Sequence, residues 1–187
     1  TFTQRTVIGG AKSVSSNLSL IRALHFPRAA LPLAYAFQEL QQLFYSMAVL
    51  LVLVLVTGEP VTWLWLLIPV PLAMQLVFNI GTSLFMARVG AFVRDVNQLL
   101  PFITRTWLYA SGVFYSIAER TKDLPDFIRW VLEFNPAAAY IEFMRHLLIY
   151  ERMPERWAWT TCLFWAVFAL IVGFWYFWRA EERYGRG

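Results

Sequence analysis

The sequence predicts an all-α, polytopic transmembrane helical bundle, and three observations carry that prediction. Leu43 to Val56 has no charge and almost no polar atom. Lipid offers bare backbone no hydrogen-bond partner, so such a run survives only as a helix. Trp157 to Trp178 is a second uncharged run, with Trp157, Trp159, Trp175 and Trp178 marking its ends, where interfacial belts place tryptophan. Hydrophobic residues are 59% of the 187 residues and charged ones 15%, against about a quarter charged in soluble domains. The net charge of +4 reads as loop charge rather than as a nucleic-acid surface.

Taken in order, residues 1–28 carry Arg5, Lys12, Arg22 and Arg28, and the first acid is Glu39. The positive-inside bias puts this segment in the cytoplasm. Ser15-Ser16-Asn17 precedes an apolar-periodic run, an N-cap signal for a short amphipathic helix over Ser15–His25. Leu18, Ile21 and Leu24 or His25 share its face, and Pro27 ends it. Such a helix either rests on the membrane surface or docks into a partner's groove.

The first membrane segment covers 29–57, running outward, and Gly58-Glu59-Pro60 is a turn. The second, 63–87, returns inward, with Trp63 and Trp65 in an interfacial belt. Pro69 and Pro71 fall in its first turns and are expected to kink it. Arg88, Arg94 and Asp95 put the Arg88–Gln98 segment back in the cytoplasm. The third segment, 99–117, is interrupted by Pro101 and Arg105; it is short for an upright span and reads as a helix whose basic start snorkels. Residues 118–149 read as a pair of short helices. The first carries Asp126, Arg129 and Glu133 at three- and four-residue spacing, and Asn135-Pro136 breaks it. In the second, Ala137–Ile149, Glu142 lies three residues from Arg145 and four from His146. Both are too short and too charged to span, so they dip into the outer leaflet or lie on it. Residues 157–178 form the last span. This topology puts ten Lys and Arg inside and six outside. With no repeat or linker, residues 1–187 form one transmembrane domain. No signal peptide is visible, and the start at Thr1-Phe2-Thr3 without Met points to an N-terminal part outside this numbering.

Polar residues inside the spans are the functional candidates. Gln38, Gln42 and Tyr45 share one helix face, with Gln41 beside them; Gln75, Asn79 and Thr82 repeat the spacing, with Ser83 adjacent. Polar groups at this depth face protein or water. They either make interhelical hydrogen bonds, worth about 0.6 kcal/mol each, or line a path for a sugar-bearing substrate. Phe37, Phe44, Phe78, Phe85, Trp107 and Tyr109 either stack on sugars or pack. Glu39 sits at the inner interface, pairs with a basic group such as Arg105, or lies near a dimer axis. Arg94-Asp95 reads as a solvated loop pair. Cys162, the one cysteine, reads as a small apolar residue.

Catalytic machinery is not visible. There is no GxxxxGK[ST] loop for ATP phosphates and no HExxH, and His25 and His146 fall on opposite sides of the membrane. No catalytic, cofactor-binding or metal-ligating residue is assigned, so energy has to come from a partner chain.

Three pieces, in this order and spacing, resemble the membrane subunit of type-2 ABC exporters, in the branch exporting polysaccharide or teichoic acid. They are Asn17-Leu18-Ser19-Leu20-Ile21 leading to Phe26-Pro27-Arg28 and Leu31-Pro32-Leu33; Val93-Arg94-Asp95-Val96 followed by Gly112-Val113-Phe114-Tyr115; and Asn135-Pro136 with Glu142 and Arg145 before a terminal span. The resemblance implies six spans, a dimer with a second copy, and a separate ATPase subunit that holds ATP and Mg. It implies a channel exporting a lipid-linked glycan, such as a teichoic acid or O-antigen-like polymer, across the bacterial cytoplasmic membrane. Residues 1–14 would be the end of the second span or the loop after it. Asn17, Leu18, Leu20, Ile21 and Leu24 would form the ATPase-coupling helix. Gln38, Gln42, Tyr45, Gln75 and Asn79 are pathway candidates, and Arg94 and Asp95 would be a joint at the inner mouth. Asn135, Pro136, Glu142 and Arg145 would belong to the helices closing the outer end. One rival is an exporter of drugs or small lipophiles. Another is a membrane enzyme acting on lipid-linked sugars, which needs convergent acids where Glu133, Glu142 and Glu151 are scattered.

Overall fold

The computed structural model describes residues 1–23, 27–56, 62–93, 95–111, 127, 132, 134–150 and 152–180. Among them lie seven α-helices and no strand: α1 Phe2–Ser15, α2 Leu18–Ala23, α3 Ala30–Val56, α4 Pro69–Phe92, α5 Val96–Ala110, α6 Pro136–Leu148 and α7 Arg156–Trp178. Three are long and apolar enough to cross a membrane: α3, α4 with the 3-10 turn Trp63–Leu67 before it, and α7.

Of the two positions expected for residues 1–14, the structure shows a packed helix rather than a loop. Phe2, Val7, Ala11 and Val14 of α1 are buried. Ser15, Ser16 and Asn17 do not cap the next helix. Both serine hydroxyls donate back to Lys12 O, at 3.2 and 2.6 Å, and Asn17 Nδ2 donates to Ser13 O at 2.8 Å. Back-bonding of this kind lets short polar side chains finish a helix. The prolines of α4 produce no kink. The 3-10 turn ends before Pro69, which is the first helical residue, and Pro71 lies in the same turn. The N–H groups of a first turn have no intrahelical acceptor, so proline costs nothing there. The helix then runs past Ala87 to Phe92 and keeps Arg88 inside it.

Helices α1, α4 and α7 run in one direction and α3 in the other. Gln75 reaches Thr3, while Ser83 packs on Gly10. Gly81 meets Gly173, while Arg88 lies over Tyr176. Arg5 pairs with Glu39, while Gly9 adjoins Tyr35. The α4–α7 contact rests on small residues. The buried residues of α7 are Ala158, Thr161, Cys162, Ala166, Ala169 and Gly173, with Phe177 the one large side chain, and the opposite face, including Leu163, Phe164, Val167 and Ile171, is exposed. Lipid supplies no hydrophobic drive for helix pairing, so close backbone packing replaces it, and the bulky face is left for lipid.

Helix α5 is about 22 Å long at 1.5 Å per residue, too short for a span. It packs Leu100 against Val7 and Ala11 and exposes Phe102 and Ile103. Arg105 falls in its second half rather than at a basic start, because the helix begins at Val96. Residues 112–117 of this segment, and the Asp126, Arg129 and Glu133 pairs, lie outside the described residues.

Helix α6 dips into the bilayer rather than lying on it. Trp165 Nε1 donates to Phe134 O at 2.8 Å, and Trp165 is nine residues into α7, about 14 Å along it. Further along α6, Phe143 meets Trp159 edge-on at 4.7 Å. The helix therefore starts near mid-depth and rises toward the first turn of α7.

Candidate functional site

Arg88, Lys12 and Arg28 mark one end of the bundle, called here the basic end. Measured from it, Glu39 is nine residues into α3 and Arg5 ten residues before the end of α1. Both are therefore about 14 Å in from the basic end of their helices. Their side chains approach to 3.9 Å, with Arg5 55% and Glu39 19% exposed. Glu39 thus pairs with Arg5 and not with Arg105. The antiparallel α1–α3 contact supplies its partner, and Gly9 leaves room for Tyr35 beside it.

Gln38, Gln42 and Tyr45 do share one face of α3, and that face is exposed. Gln41 Nε2 donates to Tyr45 OH at 3.3 Å. With Arg5 and Glu39 they make a polar band on the outside of this chain, at a depth where hydrocarbon would be costly for every one of them. Above the band the face turns apolar at Val49, Leu50, Val52 and Leu53.

The second polar row is separate. Gln75 Nε2 donates to Thr3 Oγ1 at 3.2 Å, and Ser83 Oγ donates to Pro32 O at 3.1 Å. Asn79, midway between them on the same helix face, is fully buried, and neither its Oδ1 nor its Nδ2 has a partner. Gln75 and Asn79 therefore belong to a seam between α1, α3 and α4, together with buried Thr6 and Ser13, and not to one surface with Gln38. Among the aromatics, Phe78 packs on Tyr140 and Phe85 stacks on Tyr176 at 4.7 Å. Phe37, Phe44 and Tyr109 are exposed.

Asn135 is the junction of α5 and α6. Its Oδ1 accepts from Ala137 N at 3.1 Å and from Trp107 Nε1 at 2.9 Å, and its Nδ2 donates to Ser111 Oγ at 2.9 Å. Pro136 follows at the first helical position. The bonds to Trp107 and Ser111 tie the start of α6 to the C-terminal end of α5. Glu142 faces Arg145 at 3.4 Å and His146 at 3.8 Å, one turn or more nearer the surface. Tyr140 OH donates to Cys162 O at 2.9 Å. Cys162 is fully buried.

At the basic end, α2 lies against the bundle. Ile21 is 8% exposed and packs with Val14, Leu84, Ala87, Phe177 and Ala180. Leu18 is half-buried, while Ser19, Leu20 (39%) and Ala23 face outward. Asn17 is held by Ser13, so Leu20 is the described coupling candidate whose side chain is free to meet a partner. Leu24 and Arg94 lie outside the described residues. Asp95 is exposed at the start of α5 and makes no side-chain cap bond. The sequence puts Arg88 at the start of a cytoplasmic segment, whereas it lies within α4. It is half-buried, donates to Tyr176 O and lies 3.9 Å from the Tyr176 ring centre, clamping α4 to α7. No signal in the sequence marks that pair. No group of three His, Cys, Asp or Glu among the described residues is placed to hold a metal ion.

A multi-pass bundle with a polar band at membrane depth, a small helix at its basic end and a re-entrant helix opposite is the make-up of a transporter's membrane domain. Residues 13–149 match the ABC-2 type transporter family, and the chain belongs to it. Over 154 residues it is 25% identical to a Myxococcus xanthus protein named O-antigen export system permease protein RfbA, covering 80% of this chain and 57% of that protein. A Klebsiella pneumoniae protein of the same name is 24% identical over 139 residues, covering 73% of this chain and 52% of the relative. The chain thus spans about half the length of the curated relatives it matches.

Proposed function

We propose that this chain is the membrane subunit of an ABC exporter that moves a lipid-linked polysaccharide outward across the bacterial cytoplasmic membrane. ATP and Mg bind in a separate ATPase subunit, whose cleft receives α2, and a second copy of this chain completes the channel. The polar band of Arg5, Glu39, Gln38, Gln41, Gln42 and Tyr45 carries this reading. Amides both donate and accept, which suits a path for sugar hydroxyls better than one for lipophiles. Because the band is exposed in the single chain, it is read as facing the partner copy or the path between the copies. The names of the relatives support a glycan of the O-antigen kind; a teichoic acid has the same recognition chemistry. In this scheme Asn135, Pro136, Glu142 and Arg145 belong to the element that closes the outer half of the path, and Asp95 with Arg94 to the joint at its inner mouth.

The test replaces Gln38 and Gln42 together with Leu in the full-length subunit, expressed with its ATPase in a strain whose surface polymer depends on the pair. Surface polymer should fall at least ten-fold while lipid-linked polymer accumulates inside and the ATPase still co-purifies. Normal surface polymer would refute the pathway assignment. Unchanged polymer with lost efflux of a lipophilic dye would favour the drug exporter.

A further inference from the structure

A cavity of about 320 Å3 lies between α4, α5 and α7, with Val7 of α1 at its back. Its walls include Phe85, Met86, Ile103, Thr104, Phe168 and Val172. No polar atom faces it. Its two threonines are silenced: Thr82 Oγ1 donates to Phe78 O and Asn79 O at 3.1 Å, and Thr104 Oγ1 donates to Leu100 O at 2.7 Å. Both hydroxyls thus turn back onto their own helices. A cavity so lined excludes water, and its volume falls at the lower end of ligand pockets.

The cavity opens sideways onto an exposed apolar surface. Phe168 is 46% exposed and Ile103 is 56% exposed, so each belongs both to the wall and to the outer apolar face. Phe164, Val167 and Ile171 continue that face along α7, and Phe102 continues it along α5. The wall residues of α7 lie about 14 to 26 Å along that helix, within the hydrocarbon core. The neighbouring medium at this depth is therefore acyl chain, and the opening is continuous with it.

We propose that the cleft holds one acyl chain of a bilayer phospholipid, inserted between α5 and the α4–α7 pair. The acyl chain fills the space that the short helix α5 leaves beside the close α4–α7 crossing, where no described residue packs. This inference rests on the chain spanning a membrane with this face toward lipid and does not depend on what is exported.

The experiment uses the full-length subunit in vesicles of phosphatidylethanolamine carrying a diazirine near the methyl end of one acyl chain. After irradiation and digestion, adducts are mapped by mass spectrometry. Adducts are expected on Met86 and Val172, which lie inside the cleft, as well as on Phe164 and Val167 outside it. Val172→Phe narrows the cleft and should cut Met86 labelling at least five-fold while leaving Phe164 labelling unchanged. Ile103→Trp, at the rim, should do the same and serves if the first variant misfolds. Labelling of Phe164 without Met86 would overturn the proposal, and would be the outcome if another protein segment fills the cleft. Met86 labelling that neither filling variant reduces would also overturn it.

Discussion

Gly173→Ala should unfold this bundle more than any substitution on the outer face of α7. An added Cβ at Gly173 would lie 2.7 Å from the Gly81 carbonyl carbon and 3.0 Å from its Cα, and closer still to its carbonyl oxygen. Carbon atoms rest at about 3.5–4.0 Å, so the two helices would have to part by roughly 0.8 Å. They cannot turn away from each other cheaply, because Ala169 and Phe177 on the same face are also buried. A gap of about 0.5–1 Å forfeits a quarter to a half of each contact's dispersion energy, and overpacking generally costs about 1–3 kcal/mol. Backbone rather than a flexible side chain stands in the way, so the upper part of that range, about 2–3 kcal/mol, is expected. That is a thirty-fold or greater fall in the folded-to-unfolded ratio, at about 1.4 kcal/mol per tenfold change. Denaturant unfolding of the full-length subunit in detergent, followed by tryptophan fluorescence, reads it. Ile171→Ala, on the exposed face, is the control and should change stability by less than about 0.5 kcal/mol. A Gly173→Ala protein as stable as that control would refute the close-crossing argument.

Three further outcomes follow from individual contacts. Leu20→Asp should abolish co-purification with the ATPase subunit while leaving the fold's unfolding midpoint unchanged, whereas Ile21→Asp should lower the midpoint by burying a charge; equal effects of both would contradict the placement of α2. Asn79→Leu removes two buried groups that have no partner, each costing about 1–3 kcal/mol, so the subunit should become no less stable and up to about 2 kcal/mol more stable. A loss above about 1 kcal/mol in the same unfolding assay would show that Asn79 has a partner after all. Asn135→Ala removes an N-cap, worth about 1 kcal/mol, and strands Trp107 Nε1, so limited proteolysis should cut the α5–α6 connection several-fold faster; unchanged cleavage would argue against the junction.

Much of the architecture was legible because lipid leaves few options. An uncharged run such as Leu43–Val56 can only be a helix, and the segments expected at 29–57, 63–87 and 157–178 correspond to α3, α4 and α7. The Asn135-Pro136 signal marks a real helix start, and the Glu142–Arg145–His146 spacing forms the expected pairs. The errors arose where a local signal had two readings. Ser15-Ser16-Asn17 has the composition of an N-cap but finishes α1, because the same side chains can bond backward. Pro69 and Pro71 had the look of a kink, but the preceding 3-10 turn puts them where no hydrogen bond is lost.

Composition and periodicity by themselves determined the membrane address and the helices, since those depend on free energies summed along the chain. Only the tertiary structure decided which polar residues belong together. It joined Arg5 to Glu39 across 34 positions of sequence, separated Asn79 from Gln38, and set Arg88 on Tyr176. These choices depend on how two helices cross. For Arg88 and Tyr176 that crossing is allowed by Gly81 and Gly173, and for Arg5 and Glu39 by Gly9 against Tyr35, residues without side-chain signal whose role exists only once the helices meet.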